Sequence, residues 1–361
     1  MKATEKLHDI GQSIWLDNIT RDMLNDGTLK HYIEQLSVTG LTSNPSIFEQ
    51  ALKKSSAYDE AIARYLDAGY SGEDLFFRLA VEDLSRAAGL FQPVYERTNG
   101  LDGFVSLEVS PVLAHDSAST LTAATTLFKQ AGQANLFIKI PGTPEGLPAI
   151  EEAIYAGVPV NVTLLFSREQ YVAAANAYLR GVERRIAAGL NPDVRSVASV
   201  FISRWDVAVS SRVPSELVNG LGIAIAQRTY RAYCELLASH RWQRAFNSGA
   251  SAQRLLWAST GTKDPNASDI LYVKALAAPF TVNTIPEKTL KAFSDHGEIG
   301  ALMDTDGGDC EQKLAAYADA GIDIDALAEQ LQDEGAKSFV KSWEGLLAEC
   351  EAKSEAIRKA G

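Results

Sequence analysis

The sequence predicts an α/β fold, a (β/α)8 or TIM barrel, with extra helices at its C-terminal end. Three observations predict it. Short apolar runs, eight in all, recur along the 361 residues with amphipathic helical stretches between them. Several runs are rich in β-branched or aromatic residues and apolar on both faces, as parallel strands covered by helices must be. The first turn after a strand carries no glycine-rich fingerprint, which disfavours an open, doubly wound sheet, the alternative for this alternation.

The predicted strands are Ser13–Asn18, Thr39–Asn44, Phe104–Ser110, Asn135–Pro141, Val158–Phe166, Val194–Ser203, Arg254–Thr260 and Phe280–Ile285. Helix signals fall between them. Ser71 precedes Glu73 and Asp74, and Leu75, Leu79 and Leu84 follow on one side. Ser167-Arg168-Glu169-Gln170 is a capping box, after which Tyr171, Ala175, Tyr178, Val182 and Ile186 repeat at helical spacing up to Gly189. Pro286-Glu287 opens another helix and His296-Gly297 closes it. Beyond about Asp304 no further strand is predicted, while Ile324–Leu331 and Phe339–Ile357 read as helices. The expected organisation is a barrel domain over 1–303 and a helical extension over 304–361 packed on it.

Composition narrows the function. A hydrophobic content of 46% supports a large core. A net charge of -12 argues against nucleic acid or an anionic membrane as the main partner. It leaves phosphorylated small molecules open, because a local group of Arg, Lys and backbone N–H donors binds phosphate on an acidic protein. Cys234, Cys310 and Cys350 are scattered, and His8, His31, His115, His240 and His296 show no paired spacing. That predicts a reducing, cytoplasmic setting and no metal site. Met1 to Lys6 contain no apolar signal segment, and no run is long enough to span a bilayer.

Chemistry in a (β/α)8 barrel sits at the C-terminal ends of the strands. Here those ends carry Asp17 and Asn18, Ser43 and Asn44, Glu108 and Ser110, Lys139, Asn161 and Thr163, Ser199, Ser203 and Arg204, Ser259 and Thr260, and Asn283 and Thr284. Singly, an Asp or Asn after an apolar run serves as a helix cap or turn former. Lys139 is different. It lies inside Leu136-Phe137-Ile138-Lys139-Ile140, followed by Pro141-Gly142-Thr143. Burying an ammonium is costly because desolvation disfavours the charged form, and the neutral amine is a nucleophile able to form a Schiff base with a carbonyl. The alternative is a lysine that snorkels to the surface. Convergence favours chemistry: one lysine, two carboxylates and several amides and hydroxyls suit a polyhydroxylated substrate bearing a carbonyl.

These segments resemble the transaldolase family. Gly40 to Phe48 is similar to its signature after the second strand, and Leu136 to Gly146 to its Schiff-base lysine segment. Asn161 to Ser167 resembles its fifth-strand motif. Trp257 to Lys263 and Val282 to Pro286 resemble its longer, bacterial-type branch. The resemblance runs from about Ser13 to Gly297. It implies that Lys139 forms the imine with a ketose and that Asp17 takes the C4 hydroxyl proton. It implies that Glu108 and Thr163 hold a catalytic water, and that Asn44, Asn161 and Ser199 bind the three-carbon unit. Arg204 matches a phosphate-binding arginine. Many members follow the seventh-strand Ala-Ser with an arginine for phosphate, whereas here Ala258-Ser259 runs into Thr260-Gly261-Thr262-Lys263. Lys263 would then serve as a point charge beside Ser259, without the arginine fork; a solvated loop lysine is the plain alternative.

The resemblance implies a cofactor-free transferase for sugar phosphates, as a monomer or homodimer. Two other readings compete. Fructose-6-phosphate aldolases resemble the family but release free dihydroxyacetone; they usually carry glutamine at the position of Glu108 and tyrosine at that of Phe201. A non-catalytic sugar-phosphate-binding barrel would have lost Lys139, Asp17 or Glu108, and all three are present. Arg21, after the first strand, receives no role.

Overall fold

The computed structural model describes residues 1–360. The strands are β1 (Ser13–Asp17), β2 (Val38–Thr42), β3 (Val105–Glu108), β4 (Leu136–Pro141), β5 (Val160–Leu165), β6 (Ser196–Phe201), β7 (Gln253–Ala258) and β8 (Val282–Ile285). All their pairings are parallel, in the order β2-β1-β8-β7-β6-β5-β4-β3. The wall closes between the two ends of that order: Leu41 N–H donates to the Phe104 carbonyl at 3.0 Å, and Gly103 N–H to the Thr39 carbonyl at 3.0 Å. The eight predicted strands are thus present, in order, as a barrel with flanking helices. Each is shorter than its predicted run. Val158 and Val194, for example, are buried yet precede their strands, because burial continues into the turns where ladder pairing stops.

Aromatic side chains fill the barrel. Phe104 stacks on Phe137 with centroids 4.1 Å apart, and Trp15 packs on Phe137 at 6.0 Å. Trp15 fits because residue 40 of β2 is glycine; a Cβ there would lie 2.7 Å from the indole and 2.7 Å from the Phe104 carbonyl. A polar network seals the N-terminal end. Asp102 accepts a hydrogen bond from Trp15 Nε1 at 2.8 Å and another from Ser13, while Arg254 donates to Ser13 Oγ at 2.6 Å and to the Thr281 carbonyl at 2.8 Å. These bonds satisfy groups that burial would otherwise penalise. The opposite end is left for polar side chains.

The capping box forms as expected: Ser167 Oγ accepts from Gln170 N–H at 3.1 Å, and Gln170 Oε1 accepts from Ser167 N–H at 3.3 Å, opening the helix Arg168–Ala187. The helix Gly72–Arg97 follows Ser71, which makes no side-chain cap bond; Glu73 and Asp74 face the positive end of the helix instead. The helix Glu287–His296 also forms where predicted.

The C-terminal region corrects one expectation. Instead of two helices over 324–331 and 339–357, a single helix runs Ile324–Ala360, preceded by a helix Cys310–Asp319. Gly335 breaks the apolar pattern but not the helix. A Cβ at 335 would lie 3.0 Å from Leu164 Cδ2, so glycine lets the helix pass close to the end of β5. Gln332 Nε2 donates to the Gly142 carbonyl at 3.1 Å and the Leu164 carbonyl at 2.9 Å, tying this helix to the ends of β4 and β5. Farther along, Trp343 packs on Phe76 at 5.2 Å and Phe77 at 5.5 Å, and Lys353 pairs with Asp59 at 2.6 Å. The helix therefore crosses the C-terminal mouth of the barrel. Among the described residues no helix is long and apolar enough to cross a membrane.

Candidate active site

Parallel register sets the chemistry side by side. Glu108 of β3 is opposite Lys139 of β4, and Lys139 is opposite Asn161 of β5. On β1, Asp17 is opposite Thr42 of β2. One cavity at the mouth is lined by all the sequence-predicted site residues except Glu108 and Asn161: Asp17, Asn44, Lys139, Thr163, Ser199, Phe201, Arg204, Ser259 and Lys263. Glu108 and Asn161 are buried outside that lining.

Lys139 is 6% exposed, so it does not snorkel. Its Nζ donates to Glu108 Oε2 and to the Ser43 carbonyl, each at 3.2 Å. The pair is buried on both sides, where a lone charge would be costly. Burial pushes the Glu108 carboxyl above its ordinary value; the Lys139 charge opposes this and Asp17 adds to it. Asp17 is also raised, chiefly by burial, with Lys139, the Thr42 hydrogen bond and Lys263 pulling the other way. Two oxygens beside the lysine have no hydrogen-bond partner: Glu108 Oε1 and Thr163 Oγ1, both buried. Buried polar atoms are seldom left so, and each keeps capacity to accept a hydrogen bond.

Several partners were not evident from the sequence. Thr42 Oγ1 donates to Asp17 Oδ1 at 3.0 Å and lies 2.6 Å from Thr284 Oγ1. Thr42 and Thr284 both stood in the conspicuous segments, but only strand pairing shows that they orient Asp17. Asn44 has two uses: its Oδ1 accepts from Ile47 N–H at 3.1 Å and caps the helix Pro45–Lys54, which leaves its amide N–H groups for the cavity. Asn161 is committed within the protein, donating to Ser106 Oγ at 3.1 Å and accepting from Ser199 Oγ at 2.7 Å. It is bonded to Ser199, which lines the cavity.

Toward the rim, Arg204 is half-buried and lines the cavity. Burial pushes its guanidinium down from the ordinary arginine value, with Glu334 opposing. It lies 5.6 Å from the Phe201 ring centroid. Ser259 and Ser203 hydroxyls are 2.9 Å apart, and the exposed Lys263 borders the same cavity. Arg21 belongs elsewhere: it is buried against Asp83 at 2.7 Å and over the Tyr58 ring at 4.7 Å, a structural pair. No group of three or more His, Cys, Asp or Glu among the described residues is placed to hold a metal ion. The residues that sequence reasoning missed altogether are Ser338, Phe339 and Ser342, which the C-terminal helix brings into the cavity. No sequence signal links them to Lys139.

Fold and site together define a barrel protein with a buried lysine, two carboxylates beside it and cationic groups at the rim of one strand-end cavity. The chain belongs to the transaldolase/fructose-6-phosphate aldolase family, whose pattern it matches over residues 14–350. It is 39% identical to a transaldolase 2 of Nostoc sp. (strain PCC 7120 / SAG 25.82 / UTEX 2576), over 96% of each chain. It is 42% identical to a transaldolase of Arthrobacter sp. (strain FB24) over 99% of each, and 44% identical to one of Saccharopolyspora erythraea over 95% of each. The family resemblance read from the motifs is borne out, and the chain is an enzyme of this family.

Proposed function

We propose that the protein transfers a dihydroxyacetone unit from a ketose phosphate, sedoheptulose 7-phosphate or fructose 6-phosphate, to an aldose phosphate, glyceraldehyde 3-phosphate or erythrose 4-phosphate. The observation that carries this is the buried Lys139–Glu108 pair, at 3.2 Å, beside Asp17 in one strand-end cavity. Lys139 hands a proton to Glu108 and attacks the C2 carbonyl of the ketose. The carbinolamine loses water, with Glu108 and Thr163 relaying protons through their free oxygens. The iminium then draws the electrons of the C3–C4 bond as the Asp17 carboxylate takes the C4 hydroxyl proton. The first aldose leaves, and the three-carbon enamine stays on Lys139, held by Ser199, the Asn44 amide and the remaining N–H of Asn161. Arg204, with Lys263 and Ser259, binds the phosphate of the exchanging aldose. The second aldose enters, the steps reverse, and water frees the new ketose. No step calls for a metal or organic cofactor.

The barrel, 1–303, carries this chemistry and the 304–361 extension covers it. The reading extends to a cytoplasmic protein, monomeric or homodimeric, with neither nucleic acid nor membrane as partner. Glu108 and Phe201 favour transfer over release of free dihydroxyacetone, because the releasing group usually has glutamine and tyrosine there.

The test is borohydride trapping with fructose 6-phosphate and no acceptor, followed by digestion and mass spectrometry. A reduced three-carbon adduct on Lys139, absent in Lys139→Met, is expected. An adduct on another lysine, or none on folded protein, would overturn the assignment. Product ketose after adding erythrose 4-phosphate completes the demonstration of transfer.

A further inference from the structure

The helix Ile324–Ala360 places an aromatic ring directly beside the lysine. Phe339 is 8% exposed, and its ring centroid is 5.4 Å from Lys139 Nζ. It meets Phe201 edge-on at 6.4 Å, and Phe201 packs on Phe166 at 5.4 Å. The lysine amine thus has two polar partners, Glu108 and the Ser43 carbonyl, and one aromatic neighbour, Phe339, itself backed by Phe201. The helix that carries Phe339 is fastened on either side of it, by Gln332 to the ends of β4 and β5 and by Trp343 to Phe76 and Phe77. A ring so placed is a built part of the cavity and not a passing contact.

We propose that Phe339 is a specificity-determining residue that roofs the lysine-bound three-carbon unit, keeping water from its C3 and so directing the unit to an aldose acceptor instead of to release. This inference rests on the Schiff-base transfer proposed above. Transfer and release share their last step, hydrolysis of an iminium, in which water adds to C2 and the lysine amine leaves. They differ at C3. In transfer, the enamine electron pair forms a C–C bond to the aldehyde carbon, and the aldehyde oxygen takes the proton that Asp17 holds. In release, the same electron pair forms a C–H bond with the proton that Asp17 took from the C4 hydroxyl, relayed through a water, which returns Asp17 to its carboxylate. Hydrolysis then gives free dihydroxyacetone, consuming the water molecule lost when the imine formed. An apolar ring over C3 excludes the relaying water that release requires there but leaves C2 open to the hydrolytic water that both courses use, whereas the aldose is drawn in by the charges of Arg204 and Lys263 at the rim.

The test compares the wild type with Phe339→Ala and Phe339→Leu. Each is given fructose 6-phosphate with erythrose 4-phosphate, and free dihydroxyacetone and product ketose are measured together. Their ratio belongs to the folded, active molecules and is insensitive to loss of protein. The ratio of release to transfer is expected to rise by about tenfold in Phe339→Ala, a modest change in the competing barriers. A smaller rise is expected in Phe339→Leu, which keeps most of the apolar cover and guards against a misfolded alanine variant. An unchanged ratio in variants that still transfer would overturn this proposal alone. A wild type that makes no product ketose would overturn the transfer reading and this one with it.

Discussion

Asp17 and Glu108 are both held above their ordinary proton affinity by burial, but their neighbours divide the work between them. Glu108 is hydrogen-bonded to the Lys139 amine, with which the proposed mechanism has it exchange protons, while Asp17 is oriented by Thr42 and faces the cavity. A base raised toward neutral pH accepts a proton more readily, so desolvation suits Asp17 for its task. The same desolvation carries a stability cost with a definite sign. The folded protein binds the Asp17 proton more tightly than the unfolded chain does, so this group favours folding at low pH. That contribution is lost as pH rises through the folded value. Asp17→Asn, which retains a partner for Thr42, should therefore raise the melting temperature at pH 7 while abolishing transfer. The advantage should shrink as pH falls toward the ordinary aspartate value of 3.8. A melting difference that is constant with pH would refute the desolvation account. At the rim, Lys263→Ala should raise KM for phosphorylated acceptors by roughly two- to fivefold, the scale of an exposed charge contact. Its effect on unphosphorylated acceptors should be negligible; equal effects would return Lys263 to a solvated loop role.

Among the elements, the end of β5 and the C-terminal helix form one unit. Leu164 has φ +59, uncommon for a residue with a side chain, at an irregularity in the β5–β6 register between Val162 and Leu165. Such a backbone costs of order 1–3 kcal/mol and persists when its surroundings determine it. Here the Leu164 carbonyl accepts from Gln332, and its side chain packs beneath Gly335. The irregularity spans Thr163, whose hydroxyl is free and whose side chain lines the cavity. Gln332→Ala would leave the Gly142 and Leu164 carbonyls without that donor, at a cost of about 1–3 kcal/mol. The expected outcome is a lower urea midpoint together with a reduced kcat, because both the helix and β5 lose their tie. Lost stability with unchanged kcat would mean that the tie serves the fold alone.

At the scale of the whole molecule, the barrel's two ends are made differently. The N-terminal end is sealed by Trp15, Asp102, Arg254 and Ser13, and the C-terminal end is an active-site mouth crossed by a helix. The wall was legible because burial on both faces leaves an unbroken apolar signature in each strand, as in Leu136–Ile140. The ionisable strand-end residues were legible for the converse reason: Lys139 and Glu108 interrupt runs that are otherwise apolar, which is costly unless they have work to do. Asn161 shows the limit of such reading. Its position on β5 is as conspicuous as that of Thr163, but only the structure shows that its amide donates to Ser106 and accepts from Ser199. The C-terminal helix shows another, since Gly335 looks like a break until the close approach of Leu164 supplies its reason.

The sequence by itself determined the order of strands and helices, the family, and the placing of a lysine and two carboxylates at strand ends, because these depend on local periodicity and on residue types a few positions apart. Tertiary structure alone decided which oxygens remain free beside Lys139, that Thr42 and Thr284 orient Asp17, and that Phe339 lies over the amine. The physical reason is distance along the chain. Gln332 and Gly142 are 190 positions apart, and contacts of that span are chosen by the packing of the completed barrel, not by any signal in the segments that make them.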